Sequence, residues 1–367
     1  MKIIKIHQND INSRLHIGSG ILSRAGRILN EAGIDRALII TGSLVKNKFG
    51  HILEKSLAEK KIHHKFHTVP EGEEYKNLRT VQDIYDSLVS FNADRKTCII
   101  AFGGGVVGDT AGFAAATFMR GIPLAIIPTT LLAQVDSSIG GKVGVDLPGG
   151  KNLAGAFYNP GIIITDTELL STLPESEIRA GMAEIIKASI IGSPGLFNEL
   201  RKNHFKTVFF KKGYILKIIK DTIEIKADVV KKDPFEKGLR AVLNLGHTLG
   251  HAIETHFSYT GYRHGEAISI GMVFAADIAH KLKILKEDFR DELIELLRLY
   301  ELPFSLTGIE ASELVKIMMI DKKRKGEGLT FVLPERIGKV RVVKNIEPVL
   351  VKKFLEKFIL EGADEYV

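Results

Sequence analysis

Two histidines spaced four residues apart, His247 and His251, are the clearest pair of potentially reactive side chains in this sequence. On a helix this spacing places both rings on one face. Arg240 and Asn244 extend the spacing backwards in steps of three and four, which predicts one polar stripe along one helix. A buried helix rarely carries such a stripe unless it binds something. The plainer interpretation is a helix cap or solvated face. The spacing leaves open whether His251 would bind a metal directly or support a ligand.

A third histidine and a carboxylate extend this candidate site. His264 follows His247 by 17 residues, and Glu184 lies in an apolar helical run with Lys187 three residues further on. An unpaired carboxylate is costly in such a run. Two histidines and one carboxylate would leave an open coordination position on zinc, as catalytic sites require. Because Thr248 follows His247, the H-E-x-x-H motif of zinc proteases is absent.

A glycine-rich segment is the second candidate site. Gly103, Gly105 and Gly108 match the pattern G-x-G-x-x-G between a predicted strand and a predicted helix. Glycines let a backbone approach a pyrophosphate closely, and a helix N-terminus favours anions. However, no acidic residue ends a strand about 20 residues later, as the usual dinucleotide fingerprint expects. The segment is therefore either a tight packing turn or a dinucleotide site of variant geometry.

Two kinds of element alternate in the first half of the chain. Helical periodicity at 78–91 lies among short apolar runs that are typical of buried strands, at 37–41, 97–102, 124–127 and 162–165. Such alternation predicts a mostly parallel sheet flanked by helices.

The pattern changes after Pro174. Long helical patterns occupy 175–191, 215–230, 267–285 and 288–300, and strand-like segments return only at 329–333 and 339–343. We therefore predict an α/β domain at 1–173 and a mainly helical domain at 174–367, with the active site in the cleft between them.

Composition narrows the function classes. The chain has 51 Lys and Arg against 44 Asp and Glu, a formal charge of +7. Without a nucleic-acid motif, this charge indicates either a small phosphorylated partner rather than nucleic acid, or simply a basic, soluble surface. The longest apolar stretch, 121–133, is interrupted by Pro123 and Pro128, and the first residues lack a secretory signal. Cys98 is the only cysteine. These features predict a cytoplasmic protein that does not cross a membrane.

Several motifs together resemble those of the 3-dehydroquinate synthase family. They are GGGVVGD at 103–109, PTTLLAQVDSSIGGK at 128–142, GKN at 150–152, EIIK at 184–187, NLGHTLGH at 244–251 and HGE at 264–266. The resemblance runs in order from about residue 15 to about residue 345. It implies a Rossmann-like NAD-binding domain followed by a helical domain that holds metal and substrate.

The resemblance also implies roles for individual residues. The metal, zinc or alternatively cobalt, would be bound by Glu184, His247 and His264. NAD would contact Glu71, Gly72, Glu73, Glu74, Tyr75, Lys76, Gly105, Val106, Val107, Gly108, Asp109, Thr129, Thr130, Lys142, Lys151, Leu169, Leu170, Ser171 and Thr172. Substrate would contact Asp136, Lys142, Asn152, Lys187, Lys226, Arg240, Asn244, His251 and either Lys322 or Lys323. Arg120 would reach the site of a neighbouring subunit in a homodimer.

The family's reaction converts 3-deoxy-D-arabino-heptulosonate 7-phosphate into 3-dehydroquinate and phosphate, a step of the shikimate pathway of aromatic amino-acid biosynthesis. It proceeds by transient oxidation with NAD, phosphate elimination, re-reduction, ring opening and aldol cyclisation. The alternatives are a sister sugar phosphate cyclase of the 2-deoxy-scyllo-inosose synthase type, a metal-dependent polyol dehydrogenase, and a non-catalytic protein on the same scaffold.

Overall fold

The protein contains two compact units, Met1–Ile178 and Arg179–Val367. A computed structural model describes residues 1–8, 11–203, 213–285, 289–322 and 328–364. Among the helices that it describes, none combines the length and the continuous apolar character that a bilayer crossing needs.

Unit 1 is organised around one sheet. Its strands are β1 Lys2–Gln8, β2 Ile11–Gly18, β3 Arg36–Gly42, β4 His63–Val69, β5 Cys98–Gly103, β6 Leu124–Pro128, β7 Lys142–Leu147, β8 Gly150–Phe157 and β9 Ile162–Asp166. Within the described residues, seven of them form the sheet in the order β1-β2-β9-β6-β5-β3-β4. All neighbouring pairs are parallel except β1 with β2. The separate pair β7 and β8 is an antiparallel hairpin.

Both faces of this sheet are covered. Leu38 and Ile40 of β3 pack into one apolar core and Ile39 into the other, as the alternation of side chains along a strand requires. Every residue of β5 is buried, which explains its continuous apolar run. The covering helices are α1 Ala25–Asn30, α2 Ser43–Glu59, α3 Leu78–Ser90 and α4 Gly105–Thr117.

The strand order creates a binding crevice. β4 lies on one side of β3 and β5 on the other, so successive strands are added toward one edge of the sheet up to β4 and toward the opposite edge from β5 onward. The strand order therefore reverses between the neighbouring parallel strands β3 and β5. In open parallel sheets, ligands bind at the carboxyl ends of the strands at such a point. The glycine-rich segment follows β5 and therefore lies at this position.

Unit 2 is mainly helical. Its helices, counting the one that begins just before the unit, are α5 Glu175–Gly192, α6 Pro194–Arg201, α7 Tyr214–Lys232, α8 His247–His256, α9 His264–Lys281, α10 Arg290–Leu299, α11 Ala311–Lys322 and α12 Pro348–Asp364. The strands β10 Leu329–Arg336 and β11 Lys339–Ile346 form an antiparallel hairpin. The predicted fold class, a mostly parallel α/β part followed by a mainly helical part, is confirmed.

The predicted polar stripe on one helix is wrong. Arg240 and Asn244 lie in a 3₁₀ turn, Leu239–Asn244, and α8 begins only at His247. Gly246 separates the two segments with a φ of 81°, a left-handed conformation that a helix cannot continue through. Only His247 and His251 therefore share a helix face.

Candidate functional site

Three helices of unit 2 bring one carboxylate and two imidazoles together. Glu184 lies on α5, and His247 and His264 are the first residues of α8 and α9. Oε1 of Glu184 is 3.5 Å from Nε2 of His264 and 4.0 Å from Nε2 of His247. The two imidazole ring centres are 5.4 Å apart. Both histidines therefore present the same type of nitrogen to one buried carboxylate.

The other nitrogen of each imidazole has an oxygen partner. Nδ1 of His247 is 3.1 Å from the carbonyl oxygen of Leu245, and Nδ1 of His264 is 3.3 Å from Oε1 of Glu254. In the neutral form of each ring, a proton on Nδ1 that is donated to these oxygens leaves the Nε2 lone pair available.

Close packing of glycines brings α8 and α9 together. A Cβ on Gly271 would lie 2.0 Å from the carbonyl oxygen of Gly246, so any larger residue would push α9 away from the start of α8. Gly246 needs its own left-handed backbone at the same point. The two glycines thus determine where α8 begins, and therefore where His247 lies.

Burial and neighbouring charged groups shift the pKa values of all three side chains in this cluster. Burial alone would raise the pKa of Glu184, but the Lys187 ammonium, which forms an ion pair with it, and the His264 imidazole lower that pKa to about 2. Burial and the charge of Lys187 lower the pKa of His247 well below its usual value. Burial would also lower the pKa of His264, but the Glu184 and Glu254 carboxylates raise it to about 10. The cluster therefore combines an ionised Glu184 carboxylate and a neutral His247 imidazole with a protonated His264, which would lose its Nε2 proton on binding a metal.

The residues fit a tetrahedral metal. Ligand atoms of Glu184, His247 and His264 all lie within 4.8 Å of one another. Zinc bonds of about 2.0–2.2 Å place neighbouring ligands about 3.4 Å apart, close to the observed 3.5 Å between Glu184 and His264. Within the described part of the chain, Oε1 of Glu184 is buried without a well-formed hydrogen bond. A bound cation would satisfy that oxygen.

His251 adds a second possible ligand group. His251, Glu254 and His264 also offer ligand atoms within 4.8 Å of one another. The His251 ring centre lies 5.1 Å from that of His247 and 6.3 Å from that of His264, but His251 is exposed. The buried Glu184 group is better shielded from water than this one.

The glycine-rich segment of unit 1 has the form of an anion-binding turn. β5 ends at Gly103, and α4 begins at Gly105. A Cβ on Gly108 would meet nothing within 4 Å, so the first turn of α4 has open space beside it. Gly108 and Asp109 line a pocket of unit 1 that Lys142 also lines. The helix N-terminus favours an anion in this pocket.

A buried charge cluster adjoins this segment. Nζ of Lys76 is 2.6 Å from Oδ2 of Asp109 and 2.6 Å from Oδ1 of Asn152. Burial raises the pKa of Asp109 to about 6 although Lys76 opposes the shift. Asn152 has a φ of 54°, and its backbone N–H donates to Oδ1 of Asp146. Lys76 and Asp146 thereby hold Asn152 in a strained but defined conformation.

The remaining predicted NAD contacts of unit 1 lie mainly on short connecting segments. Lys151 pairs with Glu73 at 2.9 Å, and Glu71 accepts a hydrogen bond from the N–H of Leu44 at 2.9 Å. A 3₁₀ turn, Glu73–Tyr75, follows Gly72 and is followed by Lys76. Thr129 and Thr130 follow β6, Val106 and Val107 lie in α4, and a second 3₁₀ turn, Thr167–Thr172, includes Leu169, Leu170 and Ser171.

The predicted substrate residues occupy several elements. Asp136 lies in a π-helical turn, Ala133–Ser137, and Arg120 ends a 3₁₀ turn with a φ of 68°. In unit 2, Lys187, Lys226 and Arg240 are buried, and Nδ2 of Asn244 is 3.4 Å from Oε1 of Glu236. The side chain of Lys322 and the whole of Lys323 lie outside the described residues.

Sequence reasoning missed Glu254, Asp146 and Glu236. Glu254 follows His247 by seven residues and His251 by three, so helical spacing alone would have placed it on the histidine face of α8. Asp146 and Glu236 contact Asn152 and Asn244 through loop or hairpin geometry that has no comparable periodic signal.

Known proteins resemble this chain along most of its length. Residues 66–180 match the family described as 3-dehydroquinate synthase N-terminal, and residues 181–324 match the family described as 3-dehydroquinate synthase C-terminal. The 3-dehydroquinate synthase of Prochlorococcus marinus (strain AS9601) is 41% identical over 96% of this chain and 98% of its own length. That of Geobacter metallireducens (strain ATCC 53774 / DSM 7210 / GS-15) is 43% identical over 94% of this chain and 96% of its own length.

A solved structure shares the whole fold. 2-Deoxy-scyllo-inosose synthase, complexed with carbaglucose-6-phosphate, NAD+ and Co2+, superposes with a TM-score of 0.87 at 27% identity. The superposition covers 98% of this chain and 100% of that one.

Proposed function

The chain belongs to the 3-dehydroquinate synthase family, and we propose that its site carries out the family's reaction with the residues described above. The enzyme is a carbon-oxygen lyase that converts 3-deoxy-D-arabino-heptulosonate 7-phosphate into 3-dehydroquinate and phosphate. One structural observation carries the proposal: two imidazoles have their Nδ1 atoms beside oxygen acceptors while their Nε2 atoms face one buried carboxylate.

Two cofactors would be held by different units. Glu184, His247 and His264 would hold the metal, zinc or cobalt, in the helical domain that we place at 174–367. The glycine-rich turn would hold NAD in the α/β domain that we place at 1–173, with Lys76, Thr129, Lys151 and the 3₁₀ turn at 167–172. When bound, the metal would supply Lewis acidity toward a substrate hydroxyl, and NAD would supply a reversible hydride acceptor for the carbon that bears this hydroxyl.

The cationic side chains would bind the two anionic ends of the substrate. Lys142, Lys187, Lys226 and Arg240 can neutralise a carboxylate and a phosphate and stabilise developing oxyanions. Three of these, Lys187, Lys226 and Arg240, are buried, where a charge acts more strongly than in water. Their positive charges would favour phosphate departure, because the leaving group gains negative charge.

Polar residues would orient the substrate and move protons. Asn152, held by Lys76 at 2.6 Å, would present its amide to a substrate hydroxyl, and Asp136 and Asn244 would do the same from their own segments. His251 is exposed beside His247 and would relay protons, since an imidazole can both donate and accept a proton. A lysine at 322 or 323 completes the proposed substrate set.

We propose a homodimeric assembly and a cytoplasmic location for the enzyme. We infer a homodimer in which Arg120 of one subunit reaches the site of the other. Its left-handed backbone, with a φ of 68°, supports a specific positioning role because such strain is rare in residues other than glycine. We also infer a cytoplasmic enzyme, consistent with its single, buried cysteine.

One incubation tests the reaction. The protein with NAD, zinc and the heptulosonate phosphate should release phosphate and form dehydroquinate without net NADH, because the hydride is returned. A parallel incubation with glucose 6-phosphate tests the sister-cyclase alternative. Steady NADH accumulation would indicate a polyol dehydrogenase, faster phosphate release from the hexose phosphate would indicate a sister cyclase, and absence of turnover with both would overturn the proposal.

A further inference from the structure

We propose that Glu254 is a positioning residue of the metal centre, because its carboxylate accepts a hydrogen bond from Nδ1 of His264 and so turns Nε2 of that ring toward Glu184. The inference rests on the metal site of the proposed function. It adds a residue that is not a ligand of that site.

Glu254 is buried, so its carboxylate needs hydrogen-bond or ion-pair partners. The residue lies on α8, two helical turns beyond His247, and it is buried at 7% exposure. A carboxylate is costly in such a position unless it is hydrogen-bonded or paired. Its Oε1 lies 3.3 Å from Nδ1 of His264, so the imidazole is one partner that offsets this cost.

His264 needs a support that packing does not supply. It is the first residue of α9, and its side chain remains 30% exposed, whereas that of His247 is 14% exposed. His247 is oriented by a backbone carbonyl, that of Leu245. For His264, the less buried of the two rings, the carboxylate of Glu254 takes the place that the Leu245 carbonyl takes beside Nδ1 of His247. An ionised acceptor bonds more strongly than a neutral one and makes the opposite nitrogen a better metal ligand.

The same contact also fits another arrangement, in which Glu254 is itself a ligand with His251 and His264. Two observations favour the positioning role. Glu184 is only 2% exposed whereas His251 is exposed, and the Nε2 atoms of both His247 and His264 face Glu184. A cation between those three atoms would leave Nδ1 of His264 free to donate to Glu254.

Zinc affinity of the metal-free enzyme, measured by competition with a chelator, tests the proposal. Glu254→Ala should raise the Kd for zinc about 10–100-fold, the usual effect of losing such a support. Glu254→Gln should cost less, because an amide oxygen still accepts the hydrogen bond without the charge. Asp277→Asn is the matched control: it removes a buried carboxylate on α9 that pairs with Arg290 at 2.7 Å, and it should leave the Kd unchanged.

Cobalt provides a readout that a purely structural role would not change. In the cobalt-substituted enzyme, Glu254→Gln should alter the visible absorption of the bound ion, and Asp277→Asn should not. A wild-type zinc Kd in Glu254→Ala would overturn the proposal. So would a zinc site that survives Glu184→Ala but is lost in His251→Ala, because the ion would then use the other ligand group. These measurements involve no substrate, so their failure is distinguishable from failure of the proposed reaction.

Discussion

The two nitrogens of each imidazole have separate tasks in this site. In His247 and His264 the Nδ1 atom faces an oxygen acceptor, and the Nε2 atom faces Glu184. In the neutral form that each imidazole must take to bind a metal, with one N–H and one lone pair, these contacts select the tautomer that can bind through Nε2. The site is thus partly organised before any metal binds, which reduces the free-energy cost of ordering the ligands on binding.

Removing one ligand should be more damaging than removing its support. We expect His264→Ala to abolish phosphate release and to raise the zinc Kd by more than the roughly 100-fold upper limit for a supporting residue. Metal content by mass spectrometry and phosphate release would measure both effects. His280→Ala, an exposed position at the other end of α9, is the control and should keep zinc and activity. If His264→Ala retained zinc and full activity, His264 would not belong to the metal site.

Residue types and spacing predicted most candidate ligands but not their partners. Glu184 was identifiable because a carboxylate interrupts an apolar run. Lys187, three residues further along α5, forms an ion pair with Glu184. His251 could not be assigned, since helical spacing places it beside His247 without saying which atoms meet. The long-range contact between Glu254 and His264 depends on how α8 and α9 pack, and a single helical period carries no such information.

At the scale of elements, one glycine decides where a helix starts. The spacing of Arg240, Asn244, His247 and His251 suits one helix, yet Gly246 divides it because its left-handed backbone and its contact with Gly271 require a break. The preference of the local sequence for a continuous helix is overridden by the packing of α9. Such an override comes from tertiary structure and is therefore not visible in periodicity.

The substitution Gly108→Ala should affect the free energy of unfolding and the affinity for NAD in opposite directions. Alanine is about 1 kcal/mol more favourable than glycine inside a helix, and a Cβ at Gly108 would meet nothing within 4 Å. Gly108→Ala should therefore keep or raise the free energy of unfolding. It should also weaken NAD binding by about 10-fold or more, equivalent to about 1.4 kcal/mol, because the open space would be reserved for the dinucleotide. Calorimetry and denaturant unfolding would measure the two quantities.

Gly112 in the same helix provides the matched comparison. A Cβ there would lie 2.4 Å from Cγ1 of Val143, so Gly112→Ala should lower the free energy of unfolding by about 1–3 kcal/mol through overpacking. An unchanged NAD Kd in Gly108→Ala would show that the first turn of α4 does not contact the cofactor.

At the scale of the whole molecule, the sequence predicted the parallel sheet because buried strands on two covered faces read as continuous apolar runs, as in β3 and β5. The strands of the hairpin β7 and β8 were not predicted. β8 is largely exposed and contains Gly150 and Gly155, so it lacks both the apolar run and regular alternation. Only pairing with β7 reveals it as a strand.

The two units should respond to different cofactors, since the candidate metal ligands all lie in Arg179–Val367 and the glycine-rich turn lies in Met1–Ile178. A ligand at about 100 times its Kd stabilises the state that binds it by about 2.7 kcal/mol. Zinc alone should therefore slow amide hydrogen exchange in α5, α8 and α9 by up to about 100-fold, and NAD alone should slow it in the first turn of α4. The His264→Ala protein with zinc is the control and should show no slowing in those helices. Zinc-dependent slowing in α4 without any in α8 and α9 would contradict the proposed metal site, because protection should begin at the residues that hold the ion.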